Sequence, residues 1–252
     1  MPHITDTVTT AEGSCPIRLF TPDGTGPWAG VVMYPDAGGV RDTFDDMAAT
    51  LAGFGYAVLL PDVYYRHGEW APFDMGTVFS DASERNRLFA MIRGITPDMM
   101  ASDASAFFAY LDGRPEVRGD RYGTTGYCMG GRTSVVVAGR VPDRVAAAAS
   151  FHGGGLATDQ PDSPHLLAED ITATLYIGGA QDDSSFTPEQ AETLGKALTA
   201  AGVQHTIETY PAAHGFAVPD NAPTTPRPPS GTGRRCGICS ARRCKPGFRN
   251  SC

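Results

Sequence analysis

Gly126-Tyr127-Cys128-Met129-Gly130-Gly131 is the stretch on which the reading of this chain turns. An apolar segment, residues 122–128, leads into it, and a helical pattern over residues 132–139 leads out. Glycines around a reactive residue, set between strand and helix, form the G-x-nucleophile-x-G elbow. The demand is steric: the nucleophile occupies a tight, strained turn, so positions 126 and 130 must leave room for close backbone packing. The turn exposes the Cys128 side chain above the strand end, at the start of a helix whose dipole favours an anion. For cysteine that anion is the thiolate, the reactive form. The amide of Met129, next in the chain, can then point into an oxyanion hole.

Working outward, short apolar runs alternate with helical patterns. Strands are expected at residues 16–21, 29–34, 56–61, 122–128, 146–151, 172–178 and 205–210. Several are continuously apolar, as strands buried on both faces of a parallel sheet are. Residues 43–54 carry a stripe of Phe44, Met47, Ala48, Leu51 and Phe54, the spacing of an amphipathic helix. Residues 98–111 follow Pro97, and residues 188–201 begin on Pro188 with Thr187 as N-cap and end at Gly202. The alternation predicts a doubly wound, mostly parallel sheet flanked by helices. Residues 67–95 are less regular; their Trp70, Phe73 and Phe79 suit either a cover over a cleft or a plain surface excursion.

An elbow of this kind requires an acid and then a base further along the chain. Asp182 and Asp183 follow the strand expected at 172–178, and His214 follows the one expected at 205–210. His214 is suited to take the thiol proton and return it to a leaving oxygen, and a carboxylate would hold its ring in orientation. Both aspartates qualify by position, and the downstream spacing favours Asp183. His152 also follows a strand but comes too early for the base, so it is read as lining the cleft or structural.

With these residues in place the chain resembles the dienelactone hydrolase family of α/β-hydrolases, over about residues 10–223. The resemblance rests on the GYCMGG elbow with Asp and His behind it, on Met33-Tyr34-Pro35-Asp36-Ala37-Gly38-Gly39, and on the block at residues 55–65. It implies an α/β-hydrolase fold, hydrolysis of an ester or lactone through a thioester, and no metal or organic cofactor. It also implies that Asp36, where the best-studied members have glutamate, pairs with the resting thiol, and that the Ala37 amide is the second oxyanion donor. Family members acting on dienelactone hold its carboxylate with arginines, one just after the catalytic histidine. Here that stretch reads His214-Gly215-Phe216-Ala217-Val218, and Arg85, Arg87 and Arg93 in the cover region align with none of them. The alternative reading is a scaffold of the same fold that binds a small molecule without catalysis.

The charge is unevenly spread. Of 20 basic and 28 acidic residues, seven basic ones and no acid lie from Thr224 onward, so the body carries 13 against 28, a net of −15. Such a body argues against nucleic-acid binding. No apolar run reaches the roughly 20 residues of a membrane span. The N-terminal stretch lacks the pattern of a secretory signal, so a cytoplasmic monomer or homodimer is expected. Cys15 and Cys128, far apart, are expected to be thiols rather than a disulfide. Residues 1–223 read as one domain, and residues 224–252 as a Pro/Arg/Cys-rich tail. Cys236, Cys239, Cys244 and Cys252 offer four thiolates, at a spacing too compact for a usual zinc module. Against that stand a basic disordered arm and an out-of-frame replacement of the last helix, since an adjacent frame gives an amphipathic peptide over residues 224–242.

Overall fold

The computed structural model describes residues 2–221. Eight strands make one sheet: β1 (His3–Thr10), β2 (Gly13–Phe20), β3 (Trp28–Tyr34), β4 (Tyr56–Pro61), β5 (Val117–Tyr127), β6 (Val145–Phe151), β7 (Thr174–Asp182) and β8 (His205–Ala213). Their order is β1-β2-β4-β3-β5-β6-β7-β8; the β1–β2 and β2–β4 pairs are antiparallel and all others parallel. This is the expected mostly parallel α/β-hydrolase sheet, with one strand more than the sequence signalled. β1 is an edge strand on which only Val8 and Thr10 are buried, so it carries no apolar alternation to read.

The helices are α1 (Asp42–Gly53), α2 (Ala82–Arg93), α3 (Pro97–Asp112), α4 (Met129–Arg140) and α5 (Pro188–Ala200). α1 lays Phe44, Ala48, Leu51 and Ala52 against Val31, Met33, Val58 and Leu60 on one face of the sheet. α3, α4 and α5 cover the other face, where Phe107, Phe108, Val136 and Leu194 pack on Val32, Leu59 and Ile177. Neighbours such as Val31 and Val32 therefore feed opposite cores, which is why β3 and β4 read as near-continuous apolar runs. Each fully buried side chain of this kind contributes about 1.5–3 kcal/mol. α3 and α5 start as expected, with the Thr96 and Thr187 hydroxyls accepting from the amides of Met99 and Gln190 and proline in the first turn.

α2 lies inside the irregular segment. Asp81 caps it, and only Leu88 and Met91 of its residues are buried, too few for a clear stripe. These two join Tyr64, Phe73 and Val78 in a cluster packed on Ala37, Met129 and Cys128. The segment thus lies over the C-terminal ends of the central strands. Among the described residues no helix is long and apolar enough to cross a membrane. The readings of the tail, residues 224–252, fall outside the described residues.

The turn from β5 into α4 depends on backbone contact. A Cβ on Gly126 would stand 1.9 Å from the Gly130 carbonyl oxygen, and one on Gly130 would stand 2.3 and 2.4 Å from the carbonyl oxygens of Tyr34 and Pro35. Neither neighbour is a side chain that can swing aside. Gly130→Ala should destabilise the protein by about 3 kcal/mol or more, read as a lowered urea midpoint. An unchanged midpoint would contradict this packing.

Candidate active site

Cys128 sits between β5 and α4 with φ 54° and ψ −115°, a left-handed backbone that an L-residue rarely adopts. Its amide donates to the Phe151 carbonyl (3.0 Å), and its own carbonyl accepts from Arg132 N (3.2 Å). The turn is therefore held from the neighbouring strand β6 and from the helix it starts. Both body cysteines are free thiols; Cys15 is buried and Cys128 half-buried.

His214 follows β8 and Asp183 follows β7. His214 Nδ1 lies 2.8 Å from Asp183 Oδ2, and the Asp183 side chain is 2% exposed. The other oxygen, Oδ1, accepts from Ser185 N (2.9 Å) and Ser185 Oγ (2.6 Å). With Nδ1 committed to the carboxylate, Nε2 is the ring nitrogen that remains for Cys128, whose thiol lies near enough to favour charge on His214. Of the two candidate acids, Asp182 is exposed and only Asp183 reaches the histidine. Asp182 is still paired with Ala213 of β8, beyond a register shift at Ala180/Asp182, and Asp183 is the first residue past the strand. Ser185, which fills the remaining carboxylate oxygen, had no sequence signal beyond its place in a polar loop.

Burial opposes charge on His214, but the bonds to Asp183 and Cys128 outweigh it and raise its pKa to about 10. Burial likewise opposes charge on Asp183, while His214 and Ser185 hold its carboxyl below the usual range. His152 behaves oppositely. Its ring is fully buried, both nitrogens lack a partner among the described residues, and its centroid is 5.0 Å from that of His214. Desolvation first, and the charge of His214 second, lower its pKa to about 3. It packs beside the site as a neutral ring and is no rival base.

Ala37 and Met129 pack in one cluster with Cys128. Met129 N belongs to the first turn of α4, where amides have no partner within the helix. The Asp36–Ala37 peptide is fixed at its carbonyl end, which accepts from Gly39 N (3.0 Å), so the Ala37 N–H points the opposite way. The Ala37 carbonyl accepts from the Tyr64 hydroxyl (2.8 Å). Both flanking peptides of Ala37 are thereby held.

Asp36 does not pair with the thiol, as the family resemblance had implied. Its Oδ1 accepts from Gly38 N (2.9 Å) and Arg41 Nη1 (2.7 Å), and its Oδ2 from Arg41 Nη2 (2.9 Å) and Asn221 Nδ2 (3.3 Å). The bidentate guanidinium takes both oxygens, a stronger partner for a buried carboxylate than a thiol would be. Arg41 was not singled out in the sequence, because nothing local marks its partners. Arg87 in the cover is also engaged, by Glu84 (2.6 Å) and over the Phe73 ring (3.8 Å). Among the described residues no group of three or more His, Cys, Asp or Glu side chains is arranged to hold a metal.

The model of the dienelactone hydrolase family matches residues 16–230. The chain belongs to that family. A candidate carboxymethylenebutenolidase of Synechocystis sp. is 30% identical over 203 residues, covering 79% of each chain. One of Yersinia pestis is 29% identical over 226 residues, 85% of this chain and 79% of that one. Among solved structures, a candidate dienelactone hydrolase from Klebsiella pneumoniae superposes with a TM-score of 0.71 at 23% identity, over 86% of this chain and 89% of that one. A dienelactone hydrolase-like promiscuous phosphotriesterase from metagenomic libraries gives 0.65 at 25% identity, over 87% and 86%. Family and relatives make this chain an ester or lactone hydrolase of the dienelactone hydrolase type.

The His214–Asp183 pair has a pH signature. The folded pKa of His214, about 10, lies above its ordinary 6.5, so the pair's stabilisation is full below 6.5 and lost as pH rises through 10. The gap in urea midpoint between the parent and His214→Gln should therefore narrow from about pH 6 to about pH 10. A gap constant across that window would contradict the ion pair.

Proposed function

We propose that the protein hydrolyses neutral carboxylic esters or lactones through a Cys128–His214–Asp183 triad and a thioester acyl-enzyme. The observation that supports it most is Cys128 at a glycine elbow, beside a histidine whose Nδ1 is held at 2.8 Å by a buried carboxylate. His214, with its pKa raised to about 10, already holds the proton at neutral pH, so Cys128 Sγ attacks the carbonyl carbon as the thiolate. The oxygen that gains charge is met by the Ala37 and Met129 amides. The tetrahedral adduct collapses, the C–O bond breaks, and the alkoxide leaves with the proton from His214. The neutral His214 then deprotonates a water, which attacks the thioester, releases the acid and leaves the sulfur again beside a protonated His214. Asp183 keeps the ring in the orientation both half-reactions need.

The neutral-substrate reading comes from the surroundings of Cys128. The cluster around it is apolar, with Phe73 and Met91 from the cover beside Tyr64 and Met129. Arg41 is taken up by Asp36 and Asp220, and Arg87 by Glu84 and Phe73, so neither is available to a substrate carboxylate. Leaving a charged group unpaired against such a surface is unfavourable.

Cys128→Ala should lower kcat on p-nitrophenyl butyrate by about a thousandfold or more, and mass spectrometry of the parent should show an acylated Cys128 peptide. Undiminished hydrolysis by the variant would reject the thiol mechanism, and a parent inert toward all esters and lactones tried would favour a non-catalytic binder. The kcat/KM for the butyrate ester should exceed that for the hemisuccinate by about tenfold or more; a preference for the hemisuccinate would overturn the neutral-substrate reading.

A further inference from the structure

Arg41 Nε and Nη2 donate to Asp220 Oδ2 and Oδ1 at 2.7 and 2.8 Å, while Nη1 and Nη2 donate to Asp36 Oδ1 and Oδ2 at 2.7 and 2.9 Å. The guanidinium is thus shared, in two-pronged fashion, by carboxylates from loops far apart in the chain. Its side chain is only 14% exposed, and its central carbon stands 4.9 Å from the centre of the Phe44 ring. Asp36 immediately precedes Ala37. Asp220 lies in the loop that carries His214, and Asn221 beside it donates back to Asp36 and packs on Gly215, where a Cβ would meet Asn221 at 3.0 Å. Gly215 has φ 89° and directly follows His214.

We propose that Arg41 is a positioning residue: with Asp36, Asp220 and Asn221 it clasps the loop of the Ala37 oxyanion donor to the loop of His214. It touches no reacting atom, and the role rests on the reading of Cys128, His214 and Ala37 given above. The reaction requires the oxyanion donor and the proton carrier to keep a set distance from one carbonyl group, although they come from β3 and β8 across the sheet. The strands alone do not connect these loops. The guanidinium does, in a planar geometry that lysine cannot reproduce. The same bonds hold Asp36 away from Cys128, which leaves the thiol to His214 in the unliganded enzyme.

The test is steady-state kinetics of Arg41→Ala, Arg41→Lys and Asp220→Asn on p-nitrophenyl butyrate, with near-ultraviolet circular dichroism of each. Displacing a catalytic group by about an ångström costs on the order of a hundredfold, so Arg41→Ala should lose about tenfold to a hundredfold in kcat with KM within about twofold of the parent. Arg41→Lys should recover little of this. Tens of millimolar guanidinium should restore part of kcat in Arg41→Ala and none in the parent, a rescue that a general loss of stability would not show. A kcat within about twofold of the parent, or a rise in KM alone, would overturn the clasp. If Arg41→Ala does not fold, Asp220→Asn carries the test: a kcat lowered about threefold or more supports the proposal, and an unchanged kcat overturns it. Failure of the underlying reading is distinct. Hydrolysis retained in Cys128→Ala removes both, whereas an inert Cys128→Ala beside a fully active Arg41→Ala removes the clasp alone.

Discussion

Everything at the site depends on one place where backbone meets backbone. The start of α4 lies so close to the ends of β3 and β5 that positions 126 and 130 admit no side chain. This approach puts the Met129 amide within reach of the Cys128 sulfur's surroundings. It also brings the loop after β3, with Asp36 and Ala37, alongside the helix start. A chain unable to bring these segments into van der Waals contact could keep its sheet and lose its site.

The candidate site is assembled from the ends of separate strands. Cys128 follows the central β5, Asp183 follows β7, His214 follows β8, and the loop of Asp36 and Ala37 follows β3. Parallel strands place all of these ends on one side of the sheet, where the cover segment closes over them. The sheet sets coarse positions and side-chain bonds finish the work. Asp183 and Ser185 orient His214, Tyr64 and Gly39 hold the Ala37 peptides, and Arg41 joins the two loops. Two histidines stand together there with opposite proton affinities. One is bonded to a carboxylate; the other is sealed among Tyr127, Phe216 and the first.

Much of this was legible in the sequence because it is local. The elbow is six consecutive residues, and the candidate acid and base each follow a strand that the sequence signals. Strands such as β3 and β4 announced themselves because burial on both faces forces near-continuous apolar runs. What escaped was either polar by position or distant in the chain. β1 is an edge strand with two buried residues, and α2 buries two side chains of twelve. Downstream spacing favours Asp183 over Asp182 without deciding between them, since which of two adjacent carboxylates faces His214 is fixed only once β7 and β8 are paired. Asp36 was assigned to the thiol by family likeness because its true partner, five residues on, looks like any surface arginine until Asp220 and Asn221 arrive from the other end of the domain.

The backbone of Cys128 carries a consequence of another kind. At φ 54° and ψ −115° it occupies a region where a glycine would be at ease and a side-chain-bearing residue is not. The folded protein would therefore gain stability if this position held no side chain at all. If Cys128 is the nucleophile proposed above, function and stability pull in opposite directions at this residue, and a search for heat-resistant variants that ignored turnover would be drawn first to erase it.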